Sequence, residues 1–229
     1  MFKWILIGLA ALIAAAVGNW WYGQYRSESR LLAQPVYRVL EQHDRALYDG
    51  LLARYRLLLR GEESRERFVN YANAEISRSA TNAMGRASRE SVRAMVEDMV
   101  VTAKKLQAVP GDACFQFLYP NIAGTPDVAT VIDADSQART LQLMAEVIRS
   151  AAEDAAPPPD PDKVKDNLAG IVNAVYADYG ADAQALAHAE DPRVDRAKVC
   201  TIAISLYERI LKLPPADGSD LLRTMAPAG

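Results

Sequence analysis

The pattern of apolar positions along the chain is mostly that of helices. Within residues 35–60, Val36, Leu40, Leu47, Leu51, Tyr55 and Leu58 recur at helical spacing, with Val39, Leu52 and Leu59 beside them. This spacing predicts one amphipathic helix. Pro35 suits its first turn, and Gly61 ends it after a basic last turn. A second helical stretch starts near Glu62 or Ser64 and carries Phe68, Ala72 and Ile76. It runs into a small, polar segment over 77–84, where Gly85 marks a break or hinge. Ser88 then caps a helix whose inner face is Val92, Met95, Val96, Met99, Ala103 and Leu106, closed by Pro110-Gly111.

Periodicity disappears over 112–135, which predicts a long loop holding Cys114, Phe115, Phe117, Leu118, Tyr119, Pro120 and a Gly124-Thr125-Pro126 turn. Residues 128–132 form the only β-like run, and it is short. Helical pattern resumes at Asp135-Ser136 with Leu141, Met144, Ala145 and Ile148. The proline-rich stretch over 156–161 reads as a stiff linker and a potential sub-boundary. Asp160-Pro161 and Asp191-Pro192 then repeat one device, an acidic cap followed by proline in the first turn. The first predicts a helix burying Val164, Leu168, Ile171, Val175 and Tyr179, ended or bent at Gly180. The second predicts a helix burying Val199, Ile202, Ala203, Leu206 and Ile210, with Cys200 beside the stripe and Pro214-Pro215 as its stop. Residues 216–229 lack apolar periodicity and read as a flexible tail.

The N-terminus is different in kind. Residues 4–17 contain no polar side chain, and the run continues to Tyr22. That length approaches the roughly 20 residues a spanning helix needs. Trp4 at one end and Trp20, Trp21 and Tyr22 at the other suit the two headgroup layers, so these four residues are the expected membrane-interface anchors. A cleavable signal ending at Ala14-Ala15-Ala16 is the rival reading. The apolar run passes that site and an aromatic trio follows it, which favours an uncleaved signal-anchor. Lys3 before the span and Arg26 and Arg30 after it nearly balance, and the short leader favours export of the remainder.

Together these elements predict an all-α chain. A single transmembrane helix over 1–23 precedes an irregular multi-helix bundle over 24–215, and the tail completes it. Composition agrees, since 50% of residues are hydrophobic but only 7% aromatic, with Ala supplying much of the difference. The net charge of −3 argues against a nucleic-acid partner. It conceals an asymmetry: residues 24–109 hold 15 Lys/Arg against 11 Asp/Glu, whereas 110–229 hold 10 against 18, a net of −8.

The only cysteines, Cys114 and Cys200, fit one disulfide in an oxidising compartment. Such a bond would close a loop worth on the order of 4 kcal/mol in the chain-entropy model. Two reduced core thiols are the alternative. His43 lies on an apolar stripe and His188 has no metal-ligand partner at useful spacing, so neither metal nor cofactor is expected. No nucleophile elbow or phosphate-binding loop is present, and carboxylate pairs such as Glu97-Asp98, Asp133/Asp135 and Asp160/Asp162 stand where caps and solvated faces also stand. No catalytic residue is assigned.

The candidate interaction loop is Phe115, Phe117, Tyr119 and Pro120, aromatics and proline beside a disulfide. The expected protein is a periplasmic, inner-membrane-anchored helical binding protein. It would touch the bilayer through residues 4–22 and an unidentified protein partner through its body. An inhibitor, an immunity protein or an accessory subunit of an envelope complex would each fit. A ligand-sensing bundle with a separate signalling partner, or an enzyme with an assembled carboxylate site, are the competing readings.

Overall fold

The computed structural model describes residues 34–124, 126 and 131–226. Among them every regular element is helical and no strand occurs. The chain divides into two compact units, the first ending at Ile76 and the second starting at Ser77. The 156–161 segment lies within the second unit. Its Ala156 N–H bonds the Arg86 carbonyl at 3.1 Å.

The first unit comprises α1 (Pro35–His43), α2 (Arg45–Leu59) and the start of α3 (Arg65–Ala83). The continuous helix expected over 35–60 is broken at Asp44. This residue leaves helical geometry with φ −142°, and its carboxylate accepts the Leu47 N–H at 3.2 Å. Its own N–H returns to the Leu40 carbonyl at 2.8 Å. One aspartate thus ends α1 and caps α2, a local competition that apolar spacing does not register. Beyond α2, Gly61 takes the positive φ of 76° that favours glycine and ends the helix as expected. The Arg54 guanidinium then reaches Glu63 through Nε at 2.9 Å and Nη2 at 2.5 Å, and lies 4.0 Å over the Tyr71 ring. Tyr55 and Phe68 meet at 5.4 Å between ring centres, so a charged and an aromatic contact both join α2 to α3.

The second unit is arranged about α4 (Arg89–Gln107), which packs against α7 (Ala134–Glu153), α9 (Arg196–Lys212) and α10 (Pro215–Met225). Two short helices, α5 (Ala113–Leu118) and α6 (Pro120–Ala123), occupy the region expected to be a loop, and α5 packs on both α4 and α9. On another side α8 (Pro161–Tyr179) lies against α9, α10 and a 3-10 stretch over Gly180–His188. A helix touched by four others needs an inner surface wider than one stripe. Accordingly α4 buries Ser91, Val92, Val96, Val100, Thr102, Ala103 and Leu106. Ser88 caps it by accepting the Ser91 N–H at 3.2 Å. The Ser91 hydroxyl is buried but paired with that of Ser150 at 2.8 Å, so α4 and α7 share a satisfied polar contact.

Asp160 and Pro161 start α8 as expected, with the carboxylate accepting the Asp162 N–H at 3.0 Å. The repeat of this device at Asp191-Pro192 does not start a helix. The Asp191 carboxylate instead accepts the Arg193 N–H at 2.9 Å in a turn, and Asp195 caps α9 by accepting the Lys198 N–H at 3.1 Å. Leu168, expected inside, is 38% exposed, because the buried face of α8 is Val164, Ile171 and Val175.

The largest departure is at the C-terminus. The segment expected to be a flexible tail forms α10, with Pro215 in its first turn. Its inward face is Gly218, Ser219, Leu221, Leu222 and Arg223. Glycine, serine and arginine among the buried positions erase the apolar period, which is why the pattern reads as a tail. Arg223 is only 3% exposed and donates to the carbonyls of Pro157 (2.9 Å), Gly85 (3.0 Å) and Ala156 (3.0 Å) and to Asp220 (3.0 Å). Arg89 grips the same Asp220 carboxylate in a fork of 2.8 and 2.7 Å, and Ser219 Oγ donates to the Arg89 carbonyl at 2.9 Å. Helix α10 also approaches α9 closely: a Cβ at Gly218 would lie 2.6 Å from the Ile210 carbonyl oxygen.

No helix among the described residues is long and apolar enough to cross a membrane. The anchor expected over 1–23, with Trp4, Trp20, Trp21 and Tyr22, lies outside the described residues, as do most of the β-like run and residues 227–229.

Candidate functional site

The corner built by α5 and α6 is where the sequence expectations for an interaction site converge. Helix α5 has six residues, too few to hold a helix by local bonds alone. Two neighbouring side chains fasten it from behind. Cys114 stands at disulfide distance from Cys200 on α9, with a Cα–Cα separation of 6.1 Å, and both cysteines are buried. Phe115, 1% exposed, enters a cluster with Ala189 and Val199, against which Tyr119, Ala123, Ala185, Leu186 and Val194 pack.

This geometry divides the four expected interaction residues. Phe115 is not presented to a partner, because it is the core of the corner. Tyr119 follows it inward one helical turn later, and the two rings stack at 5.0 Å between centres. Burial, with Tyr207 as a lesser contributor, pushes the Tyr119 phenol up to about 12, so it stays neutral. Phe117 is half-buried and Pro120 exposed. The sequence reading missed Ile122, which is 41% exposed. Its signal was present: Pro120 begins a helical turn, and with Tyr119 and Ala123 inward the residues between them must face out.

Arg196, at the start of α9, covers the outer edge of the core. Its guanidinium lies 5.1 Å over the Phe115 ring, and Nη1 donates to Asp112 at 2.7 Å. The pair closes the loop before α5 over the same ring that α5 buries. A shallow recess between Gln107, Asp112, Phe115 and Arg196 reaches the cysteine pair. The corner is therefore a short, firmly backed surface on which Pro120 and Ile122 are exposed and Phe117 is half-buried.

Of the remaining polar candidates, Asp98, Asp133 and Asp160 have structural partners. His43 is in the last turn of α1 and His188 ends the 3-10 stretch, in different units. Asp133 caps α7, and the Ser136 N–H and hydroxyl hold its carboxyl down at about 2. Asp98 accepts from Thr140 at 2.7 Å, and Asp160 caps α8. Among the described residues no group of three His, Cys, Asp or Glu side chains is placed to hold a metal ion. No protein-family model, no curated protein and no solved structure matches the chain.

Proposed function

We propose that this protein is an inner-membrane-anchored, periplasmic binding protein that contacts a protein partner through the α5–α6 corner. The observation that carries the reading is the backing of this corner. Exposed Pro120 and Ile122, with Phe117 half-buried beside them, sit on a segment fastened by buried Phe115 and by the Cys114–Cys200 pair. A surface fixed in this way loses little conformational freedom on binding, and an aromatic with aliphatic neighbours supplies the apolar anchor that protein interfaces use. The cysteine pair also supports the location, because a disulfide persists on the oxidising side of the membrane. The uninterrupted apolar run over 4–17 supports the anchor.

The test is site-specific photocrosslinking in intact cells. A benzophenone amino acid replaces Phe117 or Ile122 in the full chain, with Val101, exposed on α4, as the control position. The reading requires one discrete protein adduct at 117 and 122, none at 101, and loss of the adduct in C114S/C200S. Equal labelling at all three positions, or a body shielded in the cytoplasm during protease accessibility assays, would refute it.

A further inference from the structure

The outer side of α8 is built unlike a solvated helix surface. Between Asp166 and Asp178 the sequence NLAGIVNAVYA carries no charge. Only Ile171 and Val175 of this stretch are fully buried, whereas Leu168, Val172 and Tyr176 are 38%, 37% and 45% exposed. These three follow each other at intervals of four residues and so form one continuous stripe. Ala169, Gly170, Asn173 and Ala177 extend the uncharged surface beside them, and all are exposed. Gly170 is informative in its own right. A glycine inside a helix costs about 1 kcal/mol relative to alanine, yet nothing lies within 4 Å of where its Cβ would be. Nothing among the described residues accounts for it, as nothing does for Gly50 in α2, whereas close approach of another helix would.

We infer that this face pairs two copies of the chain, α8 against α8 in antiparallel orientation. The stripe is self-complementary about Val172, because Leu168 and Tyr176 lie equally far on either side and would meet each other across a two-fold axis. Charge selects the same arrangement. The last turn of α8 holds no basic residue of its own to offset its carbonyl end, and Asp178 there is already paired with Arg209 of α9. Lys165 stands exposed at the opposite end of the helix. Antiparallel pairing brings Lys165 of each copy beside the other copy's carbonyl end, where a cation is favoured. A parallel pair would instead align like ends. The net −8 over residues 110–229 makes copies repel over most of this half of the chain, and the uncharged window is where they can approach. This surface is separate from the α5–α6 corner, and its failure leaves the proposed partner contact untouched.

The full chain in native membranes, with its own cysteines paired, is the sample for the test. Val172→Cys is expected to give a disulfide-linked dimer on mild oxidation, and Val101→Cys, on α4, none. Chains carrying Leu168→Cys and chains carrying Tyr176→Cys, expressed together with different tags, are expected to form the mixed dimer in preference to either self-dimer. Adding Leu168→Lys to Val172→Cys is expected to abolish the crosslink, with unchanged helical circular dichroism of the purified protein showing that the fold survives. Crosslinking of Val172→Cys no greater than that of Val101→Cys would overturn the proposal, and self-dimers of Leu168→Cys as abundant as the mixed species would overturn the antiparallel arrangement.

Discussion

Two short helices of the second unit, α5 and α10, are held in opposite ways. Neither is long enough to be stable by itself. Helix α5 is fastened by Cys114–Cys200 and by the aromatic side chain next to it. Helix α10 is fastened by directional polar bonds. Arg223 collects the carbonyls of Gly85, Ala156 and Pro157, while Arg89 and Arg223 share Asp220. A covalent link tolerates loosening of its surroundings, whereas a buried guanidinium must satisfy its donors in one geometry or become a liability. The first kind of fastening depends on redox conditions and the second on packing. The two regions should therefore fail independently.

The largest expected effect is on the polar side of this comparison. R223M removes four hydrogen bonds at once and strands three backbone carbonyls, while Asp220 keeps Arg89, and should cost about 3–5 kcal/mol at roughly 1–3 kcal/mol per unsatisfied buried acceptor. Urea denaturation of the purified protein measures it, and a loss near zero would mean that leucine packing alone holds α10. The covalent side comes next. C114S/C200S, or reduction of the wild type, should cost about 2–4 kcal/mol. Hydrogen exchange should rise across residues 113–123 while α10 stays protected. Matching increases in both regions would dissolve the distinction between them.

The smallest effect is the part of the pH dependence that α10 contributes. The Arg89 guanidinium, followed by Arg223, holds the Asp220 carboxyl below the usual carboxylate range. The unfolded chain, with an ordinary carboxyl near about 3.9, then takes up protons first as pH falls. The stabilisation from Asp220 is complete above that value and is lost as pH drops through the lower folded one. Stability measured from about pH 5 to pH 2 should fall less steeply in D220N than in wild type. C114S/C200S should retain the wild-type slope, since the disulfide titrates nothing in this range.

The helical class, the Ser88 and Asp160 caps, the Gly61 stop and the cysteine pairing were all legible because each rests on a local rule or a short residue list. What escaped the pattern rested on side chains serving the backbone or distant segments. Asp44 divides a helix whose apolar spacing runs on undisturbed. Asp191 turns toward Arg193, leaving Asp195 to cap α9. In α10 the buried face is half polar, and only tertiary partners from residues 85 and 156–157 make that burial favourable. At the candidate site the aromatics were visible but their directions were not. Phe115 and Tyr119 turn inward because Ala189 and Val199 wait behind them, in a segment that shows no apolar repeat. Leu168 faces out because α8 meets α9 and α10 along Val164, Ile171 and Val175 instead.

The near contact at Gly218 bears on how distant kin of this chain could be recognised. With a main-chain oxygen 2.6 Å from the place of any Cβ, that position admits glycine alone unless the final two helices separate. Hydrophobic residues elsewhere can interchange without altering the architecture. The spelling most resistant to evolutionary drift should therefore be Pro-Pro, then glycine three residues after the second proline, aspartate two beyond it and arginine three further on.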